Sequence, residues 1–184
     1  MSLCWNNDNI LCGGCEGKGS GLTDLGAEVL SQMEKHKIIL DVSHMSDKSF
    51  WDSFEHYSLP ICATHSVSRA VHNHKRNLTD EQFTAIAKCG GVCGVNFYPP
   101  FLCEGKATIN TVIKHIEHFM SLGGGNSIGL GSDFDGIATS PEGLENSSNI
   151  YRLLDALLSL NYSEEAVKKI AYDNFKNLFK KFTS

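Results

Sequence analysis

Short apolar runs alternate with segments of helical period along this chain, and three of the runs end in a side chain suited to metal or proton chemistry. They are Ile38-Ile39-Leu40-Asp41-Val42-Ser43-His44, Pro60-Ile61-Cys62-Ala63-Thr64-His65 and Ser127-Ile128-Gly129-Leu130-Gly131-Ser132-Asp133. Strands that alternate with helices build a parallel α/β sheet. In such a sheet every strand's carboxyl end emerges at the same rim, where these folds place their sites. His44, His65 and Asp133 are therefore expected to converge, and two imidazoles beside a carboxylate point to a metal site.

The periodicity predicts strands at 38–43, 61–64, 92–97 and 127–132. It predicts helices at about 23–36, 47–57, 79–88, 108–122, 147–160 and 163–181. Ser46 is the expected N-cap of the second helix, and Thr79-Asp80-Glu81-Gln82 has the capping-box pattern. Four βα units cannot close a (β/α)8 barrel, which needs eight strands and about 250 residues. An open half would leave two unpaired strand edges. The chain is then part of a larger polypeptide, or it pairs with another chain. A small doubly wound sheet is the alternative, but the Gly-rich turn usual after its first strand is absent here.

The 184 residues fit a single domain, and a net charge of -5 argues against nucleic acid or anionic membrane as a partner. No apolar stretch approaches the roughly 20 residues that span a bilayer. The start, Met1-Ser2-Leu3-Cys4-Trp5-Asn6, has neither the basic nor the apolar region of a signal peptide. Seven cysteines, an odd count, read as reduced thiols, so a cytoplasmic location is expected. Cys62, Cys89 and Cys93 are expected in the core. Cys12-Gly13-Gly14-Cys15 reads as a flexible loop more readily than as a zinc knuckle.

His44 and His65 lie 21 residues apart, one βα unit, which puts them on neighbouring strand ends within reach of one ion. Asp133 could ligate as well, or carry a proton at the attacked centre. Arg76, in the polar stretch His72-Asn73-His74-Lys75-Arg76, could hold a carboxylate in a bidentate fork. His72 and His74 share that loop and are not expected to bind metal. His115 and His118 lie away from the apolar stripe of their helix and are expected to be exposed.

Several motifs occur in a fixed order: Trp5-Asn6-Asn7-Asp8-Asn9, Gly21-Leu22-Thr23-Asp24-Leu25-Gly26, Asp41-Val42-Ser43-His44-Met45-Ser46, Thr64-His65-Ser66, Arg76-Asn77-Leu78-Thr79-Asp80, Asn96-Phe97-Tyr98 and Gly131-Ser132-Asp133-Phe134-Asp135-Gly136. In this the chain resembles the C-terminal half of the membrane (renal) dipeptidase family of zinc peptidases. The resemblance implies a partial (β/α)8 TIM barrel, strands five to eight with their helices and C-terminal helices, over the single domain 1–184. It also implies zinc-dependent hydrolysis of dipeptides by a metal-bound hydroxide. His44 and His65 would be the metal ligands of the second zinc, Arg76 the substrate contact and Asp133 the catalytic carboxylate.

Complete family sites hold two zinc ions bridged by a glutamate. The first-metal His-x-Asp pair and the bridging glutamate have no counterpart here, so at most a partial zinc site is expected. The family's substrate-contacting histidine aligns with Trp5. Met1-Ser2-Leu3 stands where the fourth strand belongs, so the chain is expected to be truncated at its N-terminus. It should be inactive or nearly so unless a partner supplies the first half. Homo-oligomers, or pairing with that half, would cover the open edges. The rival readings are a non-catalytic fragment and a metal-dependent amidohydrolase acting on a non-peptide substrate.

Overall fold

Three five-residue strands, β1 (Cys62–Ser66), β2 (Val92–Asn96) and β3 (Ile128–Ser132), pair in parallel in the order β1-β2-β3. A computed structural model describes residues 1–183 and shows a mixed α/β fold around this sheet. The helices are α1 (Asp24–Lys35), α2 (Asp47–His56), α3 (Asp80–Lys88), α4 (Pro99–Leu102), α5 (Ile109–Ser121), α6 (Ile150–Ser159), α7 (Glu164–Lys168) and α8 (Asn174–Thr183).

The helix starts follow local chemistry. Thr23, Ser46, Thr79 and Ser163 each accept, through the side-chain oxygen, a backbone N–H of the first turn. At Thr79 the Gln82 side chain reciprocates, accepting from the Thr79 N–H and completing the capping box. Pro99 and Pro100 stop β2 and open α4, because proline suits the first helical turn and cannot continue a strand ladder. The core lies between sheet and helices. Phe83 of α3 stacks on Phe119 of α5 at 3.9 Å between ring centroids, both fully buried.

The segment 38–43 departs from expectation. It forms no strand but a single bridge, Asp41 to Cys62, with Val42 N–H donating to Cys62 and Cys62 N–H to Leu40. The cause is local. Ser43 turns its N–H to its neighbour's carboxylate, Asp41 Oδ1, at 3.1 Å, which withdraws it from any ladder. The expected helix at 163–181 is also interrupted. A π-helical turn, Lys169–Asp173, separates α7 from α8. Beyond it the buried Asn174 donates to the carbonyls of Gly125 and Ile128, tying the last helix to the start of β3.

The sheet is tightly curved near its carboxyl rim. Register shifts interrupt the β1–β2 pairing between Ala63 and Ser66 and the β2–β3 pairing between Val95 and Asn96. The Thr64 carbonyl occupies the space side chains would need across the sheet. A Cβ on Gly94 would lie 2.1 Å from that oxygen, and one on Gly131 would lie 2.3 Å from it. Only glycine permits this approach of three backbones.

Candidate metal and substrate site

Each functional side chain hangs from a different connection at one rim. His44 follows the bridged segment 40–42, His65 lies in β1, Asn96 ends β2 and Asp133 follows β3. A cavity of about 340 Å³ opens between them, bordered by Trp5, Asn6, His44, His65, Arg76, Tyr98, Phe101 and Asp133. A larger groove of about 490 Å³ beside α1 is lined by apolar Leu25, Val29, Met33 and Ile38 together with Glu28, Ser31, Gln32 and His36.

The two imidazoles meet edge to edge, with Nε2 of His44 2.9 Å from Nε2 of His65. Their partners decide which nitrogens carry protons. His44 Nδ1 lies 2.7 Å from Asn6 Oδ1, an amide oxygen that also accepts the Cys15 thiol, so Nδ1 is the donor. His65 Nδ1 lies 2.8 Å from Thr64 Oγ1, whose own proton goes to Asp41 Oδ2 at 2.6 Å. That hydroxyl can therefore only accept from His65. With both Nδ1 atoms so engaged, the two Nε2 atoms face one another, and Arg76 Nη2 approaches that of His44.

Electrostatics agree. Burial, with the positive Arg76 and the facing His65, pulls the His44 pKa down to about 4. Burial and then Arg76 lower His65 as well, so both rings are neutral at pH 7 and available as ligands. Burial alone would raise the Asp41 pKa, but hydrogen bonds from Ser43 and Thr64 outweigh it, and the carboxylate is held below its usual range.

Arg76 is 5% exposed, and its Nη1 is buried without a hydrogen-bond partner among the described residues. Its Nη2 lies 3.5 Å from His44 Nε2, and its guanidinium carbon sits 5.4 Å above the Phe101 ring. The loop that carries it is braced on both sides. Arg69 forks onto Asp47 at 2.7 and 2.8 Å and donates from Nε to the Asn77 carbonyl; Asn77 Nδ2 donates to the carbonyls of His72 and Phe101. A buried guanidinium with an unspent donor is a ready hydrogen-bond donor to an anion.

Asp133 has φ of +72° and follows Ser132 at φ +46°, two adjacent non-glycine residues in the left-handed region. This costly backbone turns the carboxylate into the cavity. Asn96 Nδ2 holds Asp133 Oδ2 at 3.1 Å, while Asn96 Oδ1 accepts from Tyr98 N–H.

The cavity thus gathers His44, His65 and Asp133, as the strand-end pattern predicts, together with Arg76 from the polar loop. Among the described residues no group of three or more His, Cys, Asp or Glu side chains is assembled for a metal, so the ligand-like cluster is the histidine pair. Sequence reasoning missed Asn6 and Asn96. Asn96 ends an apolar run just as His65 and Asp133 do, and that was the available signal. His115 is a correction: it is fully buried, accepting from Ser68 N–H and donating to the Leu102 carbonyl. The 67–79 loop and the end of α4 cover a face the helical period leaves open.

The family model described as membrane dipeptidase (peptidase family M19) matches residues 1–183. An uncharacterized protein encoded in the pqqA 5' region of Klebsiella pneumoniae is 36% identical over 96% of this chain and 69% of its own length. A solved metallo peptidase from Rhodobacter sphaeroides, liganded with a phosphinate mimic of the dipeptide L-Ala-D-Ala, superposes with a TM-score of 0.91 at 29% identity. A solved dipeptidase AC of the same M19 family gives a TM-score of 0.90 at 30% identity. These matches cover 97% and 96% of this chain but 54% and 55% of the two solved chains, so the chain spans about half their length.

Proposed function

Because the chain belongs to the membrane dipeptidase family, peptidase family M19, we propose that its rim is the second-metal and substrate half of a zinc-dependent, dipeptide-hydrolysing site. The observation that carries this reading is the approach of His44 Nε2 to His65 Nε2 at 2.9 Å, with each ring's Nδ1 already engaged by a neighbour. In this reading the sheet is an arc of a (β/α)8 barrel, strands five to eight, and 1–184 is the C-terminal half of a longer architecture. The glycine-lined curvature and the half-length match to the solved peptidases support that.

His44 and His65 would hold the metal. Two imidazoles are fewer than the three protein ligands usual for catalytic zinc, so the remaining ligands must come from another segment or chain. When bound, zinc supplies Lewis-acid polarisation of a carbonyl and acidifies water. Arg76 grips a substrate carboxylate or the developing oxyanion with its unspent Nη1 donor. Asp133, steadied by Asn96, accepts the proton of the water that attacks the carbonyl carbon and returns it to the leaving amine. Trp5, Tyr98 and Phe101 supply apolar walls for the substrate's side chains.

Calorimetric titration of the full chain with zinc, repeated on His44→Ala and His65→Ala, tests the metal. Binding lost in both variants is expected, and no binding by the unmodified chain at millimolar zinc would overturn the reading. Zinc-dependent release of D-Ala from L-Ala-D-Ala tests the substrate class. Turnover confined to non-peptide amides would replace the dipeptidase with another metal hydrolase.

A further inference from the structure

Asp41 lies at the centre of the polar contacts beneath the two histidines. Its Oδ1 accepts from Ser43 N–H at 3.1 Å, Ser43 Oγ at 2.6 Å and Thr64 N–H at 3.0 Å, and its Oδ2 accepts from Thr64 Oγ1 at 2.6 Å. Ser43 Oγ in turn accepts from the backbone N–H of His65 at 3.1 Å. One carboxylate thus binds the residue immediately before His44 and the residue immediately before His65.

We propose that Asp41 is a positioning residue that acts through Thr64 to fix His65 as its Nδ1–H tautomer and clamps the tips carrying His44 and His65 side by side. The proton logic follows from the donors available. Thr64 has one hydroxyl proton, and an acceptor-only carboxylate oxygen at 2.6 Å claims it. The remaining lone pair faces His65 Nδ1 at 2.8 Å, so that nitrogen must carry the ring proton and Nε2 must be bare. A threonine that could rotate its proton toward Nδ1 would stabilise the opposite tautomer, whose Nε2–H cannot ligate. Asp41 removes that option. Partners of this kind behind a ligating histidine typically change metal affinity about 10- to 100-fold.

This inference rests on the metal-holding reading of His44 and His65, but its central claim is about a tautomer and needs no metal. The test is long-range ¹H–¹⁵N correlation of histidine-labelled full chain, free of metal, for the unmodified protein, Thr64→Ser, Thr64→Val and Asp41→Asn. The His65 signals are assigned by their loss in His65→Gln. The Nδ1–H pattern is expected in the unmodified protein and in Thr64→Ser, which keeps the hydroxyl. Mixed or Nε2–H patterns are expected in Thr64→Val and Asp41→Asn. Zinc competition against a chromophoric chelator should show about 10- to 100-fold weaker binding in the latter two, and rescue in Thr64→Ser.

An Nε2–H pattern at His65 in the unmodified protein would overturn the proposal, even if no variant folds. So would an unchanged Nδ1–H pattern in a folded Thr64→Val. If the expected tautomers are seen while the unmodified chain binds no zinc, the relay stands and the metal reading falls.

Discussion

Asn96 and Asp133 join adjacent strand tips, with the fully buried Asn96 amide donating to the carboxylate at 3.1 Å while its carbonyl receives the Tyr98 N–H. Replacing Asn96 by Leu keeps the volume but leaves that N–H unpaired, a loss of about 1–3 kcal/mol. Urea denaturation should show it as a lower midpoint with an unchanged slope. Asn96→Asp keeps the acceptor yet sets a second carboxylate against Asp133. Carbon-detected NMR titration should then find the pair's apparent pKa raised above the normal carboxylate range.

On the proposed reading, Arg76 is a charge buried for binding rather than for stability. Its Nη1 has no partner among the described residues, so Arg76→Met should leave thermal stability unchanged or raise it by about 1 kcal/mol. The same variant should lose affinity for a phosphinate dipeptide mimic. A drop of several kcal/mol in a folded Arg76→Met protein would mean that the guanidinium is structural.

Zinc should stabilise the native chain by mass action. At 100 times its dissociation constant, a ligand that binds only the folded state adds about 2.7 kcal/mol. Thermal unfolding with and without zinc reads this as a rise in Tm, reversed by chelator and absent in His65→Ala.

Stability should also fall in mild acid because of His115, buried on α5. Burial, against a partly compensating hydrogen bond to Leu102, pulls its pKa down to about 4, whereas the unfolded ring titrates near 6.5. Between these values the unfolded chain binds more protons than the native one. His115 therefore contributes its full share above about pH 6.5 and loses it progressively as pH falls toward 4, about 3 kcal/mol in all. Urea midpoints between pH 7.5 and 4.5 should slope less steeply in His115→Gln.

The curvature beneath the tips yields a further expectation. A methyl group on Gly94 would meet the Thr64 carbonyl at 2.1 Å, so Gly94→Ala must push β1 outward, at a cost of about 1–3 kcal/mol. Because His65 follows Thr64, zinc affinity should fall along with stability. Normal zinc affinity in a destabilised Gly94→Ala would show that the tips move independently of the sheet.

What could be read in advance was what depends on near neighbours. The caps at Ser46 and Thr79 are local chemistry, and the sequence marks them plainly. The convergence of His44, His65 and Asp133 follows from parallel strands sharing one rim, so it too was legible. The expected strand at 38–43 failed because Ser43 found Asp41 before it found a ladder partner. His115 was misplaced because a helical period reports the strongest apolar stripe, and a distant loop can cover the other side. The π turn at Lys169–Asp173 answers to Asn174 reaching Gly125 and Ile128, a demand set by residues more than forty positions away.

The close approach of Thr64, Gly94 and Gly131 means that, where these three strands meet, the sheet beneath the tips is peptide against peptide. Peptide has no rotamers to rearrange, so this layer cannot be recontoured by point substitution as an ordinary pocket can. Retuning of selectivity, by evolution or by an engineer, then falls to the side chains that border the cavity, such as Trp5, Tyr98, Phe101 and Ile137.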